Sequence, residues 1–260
     1  MLRTTPLWQA RHPQQSTTEI LIPAALILLA SASLLLVIGQ YTDIDLWLAD
    51  LYFDVQRHVF PWNNTWFARE FMHGWVKNVL AWSSILLVVT MLADVIFRFR
   101  WLTPARRAGL RVLALSAALE PLLIRTIKDN SSLHCPWGVD RYGGAEPFLR
   151  LLDSVPDGWH AGHCFPAGHA STGMWLVALA ALWLPHAPRK ALLALASGLS
   201  IGLTLGWVQQ MRGQHFLTHT LWTAWLSCAL LLALIALFSR HLLAPAAPHT
   251  SQPPLIGYPA

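Results

Sequence analysis

The chain has 260 residues, 55% of them hydrophobic and only 12% charged, with 14 Trp, 12 His and a formal net charge of +5. A soluble domain carries about 25% charged residues. The composition therefore argues for a membrane protein and excludes a disordered chain, collagen, a coiled coil and a disulfide-dense secreted scaffold. Lys and Arg fall in short clusters between apolar runs, as in membrane-protein loops rather than on a nucleic-acid-binding surface. Three Cys are too few for a disulfide framework.

A membrane helix needs about 20 predominantly apolar residues. Segment 20–42 has no charge. Arg3 and Arg11 precede it, as in a signal peptide. Its run is longer than an h-region of about 7–15 residues, and no clear small-residue cleavage site follows. Segment 43–76 mixes Asp43, Asp45, Asp50, Asp54 and Glu70 with Trp47, Trp62, Trp66 and Trp75. That suits the headgroup level, where Trp is enriched. Segment 78–97 carries only Asp94, whereas 108–127 is interrupted by Arg111, Glu120 and Arg125. Segments 169–188, 191–211 and 220–239 contain no Asp, Glu, Lys or Arg. The expectation is one all-α, polytopic integral membrane domain over residues 1–260. It has six transmembrane helices, at about 20–42, 78–97, 108–127, 169–188, 191–211 and 220–239, and an interfacial segment between the first two. No internal repeat is visible, and the Pro- and Ala-rich tail after His241 reads as a loose end.

Basic residues mark cytoplasmic loops. Arg98, Arg100, Arg106 and Arg107 share one side with Arg189 and Lys190 if the N-terminus is inside, and Arg3, Arg11 and Arg240 join them. Segments 43–76, 128–168 and 212–219 then face out. Glu120 and Arg125 are five residues apart, so they do not make an ideal pair on one helix face. Intramembrane charge is costly and faces a cavity or a partner.

Three polar clusters stand at outer span mouths. The first runs from Lys128 through His134, Cys135 and Pro136 to Asp140 and Arg141. The second is His163-Cys164-Phe165-Pro166-Ala167-Gly168-His169-Ala170-Ser171, and the third runs from Gln209 through Arg212, Gly213 and His215 to His219. Taken singly, Lys128 fits a snorkelling residue and Pro166-Ala167-Gly168 fits helix punctuation. His169 then opens a helix, where free backbone N–H groups favour an anion. His215 and His219 share a face if their segment is helical. Three His gathered with Lys and Arg at one membrane face point to chemistry.

These residues resemble the type 2 phosphatidic acid phosphatase (PAP2) superfamily over roughly residues 75–240. The family pattern is Lys-x6-Arg-Pro, then Pro-Ser-Gly-His, then Ser-Arg-x5-His-x3-Asp. Lys128-x6-Cys135-Pro136 keeps the Lys, the spacing and the Pro, with Cys135 in the Arg position. Pro166-Ala167-Gly168-His169 changes only the Ser. In Gly213-Gln214-His215-Phe216-Leu217-Thr218-His219, His215 takes the place of the motif His and His219 that of the Asp. The Arg position then falls on Gln209, and Arg212 lies one turn further on. A rival register makes His219 the motif His, but it loses the Gly and lengthens the spacing from Arg212.

The resemblance implies a membrane lipid phosphatase that works through a phospho-histidine, with no cofactor and no metal. His215 is the implied nucleophile and His169 the acid and base, with His219 beside them. Lys128, Arg212, Arg141 and the backbone near Gly168 are implied to bind phosphate, Arg141 standing in for the Arg lost at Cys135. Asp129, Asp140, Asp153 and Asp157 are the candidates for the missing carboxylate. Cys135 and Cys164 both fall in the outer loop, an oxidising compartment in a bacterium, and are expected to form a disulfide; free thiols or metal-ligating thiolates are the alternatives. Cys228 reads as a packing residue within the last span.

The implied partners are the bilayer and a phosphorylated lipid of its outer leaflet: a phospholipid, an isoprenoid or lipid A. No nucleic acid is expected. The implied location is a bacterial inner membrane, with cytoplasmic termini and a periplasmic site. Three other readings remain open: a lipid phosphotransferase on the same fold, a metal-dependent hydrolase using His160, His163, Cys164, His169, His215 and His219, and a haem-binding membrane protein.

Overall fold

The computed structural model describes residues 13–243. Arg3, Arg11 and the tail beyond 243 lie outside the described residues. Helix α1 is Pro13–Tyr41 and the short α2 is Ile44–Asp50. A π-helical stretch, Phe67–Val76, runs directly into α3, Lys77–Phe97. Helix α4 is Pro104–Asp129. Helix α5, Gly168–Met174, continues as a 3₁₀ helix, Trp175–Leu182. Helices α6, Pro188–Met211, and α7, Leu217–Leu242, complete the bundle. Among the described residues no strand forms, only the isolated bridges Asp54–Val59 and Val139–Glu146.

The core lies where α4, the α5–3₁₀ segment, α6 and α7 pack together. Helix α4 buries Val112, Leu113, Ser116, Ala117, Glu120 and Ile124, a recurrence of three and four that makes one inward face. Glu120 on this face is fully buried and accepts a 2.8 Å hydrogen bond from Ser227 Oγ of α7. Helices α1 and α3 are different. They leave Ile22, Leu26, Ile27 and Leu29, and Trp82, Ile85, Leu86 and Val89, open. An apolar face with no protein over it matches hydrocarbon, not water.

Four helical segments are long and apolar enough to cross a membrane: Thr18–Tyr41, Phe67–Phe97, Pro188–Met211 and Leu217–Leu242. This differs from the six segments of the sequence analysis at two places. Residues 108–127 fall within α4, whose Arg and Glu residues break its apolarity although its length suffices. Residues 169–188 do not form one α-helix, and the apolar helical piece ends at Leu182. Pro185 and Pro188 lack the N–H that a continuous helix needs.

Helix α6 reaches its neighbours through glycine. A Cβ on Gly198 would lie 2.5 Å from Val177 N, one on Gly202 2.4 Å from Met174 Sδ, and one on Gly206 2.2 Å from Thr220 Cγ2. Small residues four apart let helix backbones approach closely. At the α3–α4 turn, Arg107 Nε donates to Asp94 at 2.8 Å and Arg107 Nη2 to Phe99 O at 3.0 Å, fixing the turn. At the opposite end of the bundle, α2 and the long loops pack against the start of α7. There Phe53, Phe60 and Tyr142 pack at centroid distances of 5.1–5.4 Å, and Asp45 accepts from Thr218 N at 2.9 Å.

Gly206→Val forces α6 from α7, and overpacking of this kind costs about 1–3 kcal/mol. A lowered thermal midpoint in detergent is expected. An unchanged midpoint contradicts the close packing.

Candidate active site

Lys128 lies in the last turn of α4. Beyond it the chain runs beside the segment that leads into α5. Gly162 N–H donates to Ser132 O at 3.2 Å, His163 N–H to Ser131 O at 3.1 Å and Cys164 N–H to Leu133 O at 3.0 Å. At the end of this ladder Cys135 and Cys164 are joined by a disulfide, with Cα atoms 5.3 Å apart. Ala167 N–H then donates to His219 O at 3.1 Å. The Thr223 hydroxyl reaches both Ala167 O, at 3.1 Å, and His219 O, at 3.0 Å. The start of α5 is thereby tied to the start of α7. A Cβ on Gly168 would stand 3.9 Å from Lys128 Nζ, which places the ammonium beside the first turn of α5.

The α6–α7 turn depends on Gly213. Its φ is +70°, which L residues rarely adopt, and a Cβ there would lie 2.3 Å from the Phe60 ring. This turn delivers His215, which is 2% exposed. The His215 ring centroid lies 6.2 Å from His169 and 5.9 Å from His219. Its Nδ1 is 3.4 Å from Cys164 Sγ, which leaves Nε2 as the other ring nitrogen. Burial pushes His215 well below the ordinary histidine range, and His219, Lys128 and His169 push the same way, against the backbone of Cys164. A neutral ring keeps a lone pair for attack.

Arg212 is buried at the end of α6. Its Nη1 donates to Gln209 Oε1 at 3.1 Å, its Nε to Asn63 O at 3.3 Å and its Nη2 to Asn63 Oδ1 at 3.3 Å. Gln209, in the family's Arg position, thus holds Arg212. Burial and the neighbouring Arg69 lower the basicity of Arg212. Arg141 goes elsewhere: it is exposed and forks onto Asp50, with Nε–Oδ1 2.9 Å and Nη2–Oδ2 2.7 Å. That pair ties the loop that carries Arg141 to α2, so its guanidinium is engaged by a carboxylate.

The carboxylates proposed from sequence are engaged or exposed. Asp129 pairs with Arg125 at 3.2 Å, Asp153 accepts from Gln40 at 2.7 Å, Asp140 accepts from the Arg141 N–H at 2.6 Å, and Asp157 is exposed. Cys135, Cys164 and His215 offer ligand atoms within 4.8 Å of one another. The two sulfurs are bonded to each other, however, so neither is a thiolate ligand.

Sequence reasoning missed three neighbours. Asn63 holds Arg212. Asp45 is buried, and its carboxylate takes the N–H and hydroxyl of Thr218, next to His219. His73 packs its ring edge-on to His169, with centroids 4.3 Å apart. The Nδ1 atoms of His73, His169 and His219 are buried without a hydrogen-bond partner among the described residues. Unpaired buried polar atoms in a native structure call for an explanation.

A PAP2 superfamily model matches residues 109–242, which include His169, His215 and His219, and the chain belongs to that superfamily. Its members are phosphatases, which supports phosphatase activity on phosphate esters. Comparison with curated proteins and with solved structures gave no match.

The low proton affinity of buried His215 links stability to pH. The unfolded chain binds a proton below about pH 6.5, where the folded ring resists it. The unfolded state then holds more protons, so stability falls as pH drops through and below that value. His215→Gln removes this contribution. Melting curves between pH 8 and 5 are expected to show a smaller acid-side fall in the variant than in the wild type. Parallel curves contradict a neutral buried His215.

Proposed function

We propose that the chain is a lipid phosphatase of a bacterial inner membrane, a single integral domain with cytoplasmic termini and a periplasmic site. It hydrolyses a phosphate monoester or diphosphate of a phospholipid, isoprenoid or lipid A. The observation that carries this reading is the placement of buried His215 across from His169, with Lys128 and Arg212 around them.

His215 Nε2 bonds to phosphorus as the bond from phosphorus to the lipid oxygen breaks. His169 gives its proton to that oxygen, and the substrate's negative charge favours the protonated ring that does so. His169 next takes a proton from water. The water oxygen bonds to phosphorus, the P–N bond breaks, and His215 is restored. Lys128 and Arg212 neutralise the phosphoryl oxygens, and the backbone at Gly168 lies beside them. Arg212 suits this role because its fork matches two phosphate oxygens. His219 fills the family's Asp position and packs against His215. The cations supply the charge, so turnover needs no metal.

A lipid substrate has room in an open groove of about 520 Å³ beside the end of α4, where Asn130, Ser131, Ser132, Arg150 and Asp153 form a polar side opposite an apolar one. Ile127, Leu133, Leu149, Leu151 and Phe165 line it, and the Phe165 ring packs on His219 at 5.5 Å. Cavities of a few hundred Å³ accommodate small ligands.

The six-span reading takes α4 and the α5–3₁₀ segment as the third and fourth spans. Buried Glu120 of α4 faces protein, where intramembrane charge is tolerated. Gly168–Leu182 is about 26 Å long at ~1.5 and ~2.0 Å per residue, close to a hydrocarbon core of about 30 Å.

Phosphate release from a panel of phosphorylated lipids is expected to survive EDTA. It should fall by about four orders of magnitude or more in His215→Ala, as when a covalent nucleophile is removed. Full activity in that variant overturns the assignment.

A further inference from the structure

We propose that Arg69, His73 and Lys77 form a fourth, phosphate-binding wall of the active site and replace the cation lost where Cys135 stands. This wall rests on the phosphatase reading above and assigns residues to it that lie outside the family match, which begins at residue 109.

The three residues are spaced by four along the π-helical stretch and the first turn of α3. Helical residues at that spacing are surface neighbours. The middle one is fixed on the site by contact: the His73 ring meets the His169 ring at 4.3 Å, and its Nδ1 is buried without a partner among the described residues. The outer two share its surroundings. Arg69 and Lys77 stand four residues to either side of His73 on the same helical run, which brings their charges near its ring.

The charge balance also points to an anion. Lys77, Lys128 and Arg212 all act on His169. Glu70 and Asp129 are the carboxylates that act on His73 and Lys128. Both are turned to solvent, Glu70 against Arg69 at 3.7 Å and Asp129 against Arg125 at 3.2 Å. Like charges drawn together over unpaired ring nitrogens are costly unless an anion joins them. Cys135 stands where the family pattern has Arg, and its sulfur is committed to Cys164. Lys77 restores a cation from another helix. A π-helical turn is frequent at functional sites, and here it carries His73.

The test uses the full chain in detergent, with two readouts for wild type, Lys77→Gln, His73→Gln and Lys77→Arg. The first is lipid turnover, resolved into kcat and KM. The second is binding of inorganic phosphate and orthovanadate, which needs no turnover. The wall predicts at least a tenfold rise in KM and a tenfold weaker affinity for both anions in Lys77→Gln and His73→Gln. Lys77→Arg keeps wild-type affinity, and melting curves identify any variant that is merely unfolded. If a Gln variant does not fold, Arg69→Gln, at an exposed position, is expected to weaken anion binding at least threefold. Wild-type KM and anion affinity in the folded Gln variants overturn the wall and leave the phosphatase reading intact. A wild type that binds phosphate through Lys77 but turns over no lipid overturns the phosphatase reading instead.

Discussion

The site depends on one small knot of hydrogen bonds. Ala167 N–H donates to His219 O, and the Thr223 hydroxyl reaches the carbonyls of both residues. The knot fixes the first turns of α5 and α7 against each other, with the contacts of Cys164 to Gln214 and His215 holding the same approach, and so sets His169 near His215. The disulfide and the short ladder before it tie the same segment back to the end of α4, where Lys128 emerges. Two connections thus close three helix ends around one small space. Bonds of this kind are modest individually, about 0.5–1.5 kcal/mol each, but buried backbone groups left unpaired cost more, so the arrangement resists loosening.

Within that space the balance is between burial and charge. Imidazoles held away from water stay neutral, which suits a nucleophile, while Lys128 and Arg212 remain positive because an ammonium and a guanidinium give up their protons far less readily. The outcome is a space whose positive charge suits the phosphate ester proposed as its substrate. The same logic accounts for the loss of the family's Asp. His219 cannot bring a negative charge, but His215 here already has a sulfur at Nδ1 and two rings beside it.

Much of this was legible in the sequence, for physical reasons that differ by element. Segments 20–42, 191–211 and 220–239 are uninterrupted apolar runs; the last two coincide within three residues with α6 and α7, and the first lies along α1, which starts seven residues earlier. The α5 segment was misjudged because apolarity is blind to winding, and nothing in a hydropathy count separates an α-helix from a 3₁₀ helix. Segment 78–97 matches α3 to within a residue, but the π-helical stretch ahead of it reads as part of the interfacial segment because Arg69 and His73 interrupt its apolarity. That reading hid His73. The signal was present as a spacing of four, but a spacing within one segment does not say which distant ring it meets. Arg141 shows the converse limit: a basic residue near the motifs is equally well placed to meet Asp50. Asp45 and Asn63 were unreadable as site neighbours, because only the folded loop over α7 brings them there.

The central claim is that phosphate passes through His215. The direct measurement is to quench turnover of a lipid labelled with radioactive phosphate and map the labelled peptide. The account predicts an acid-labile, base-stable label on His215, enriched in His169→Ala, where water attack is slowed. Label on another residue, or rapid turnover in the wild type with no covalent label in either protein, contradicts it.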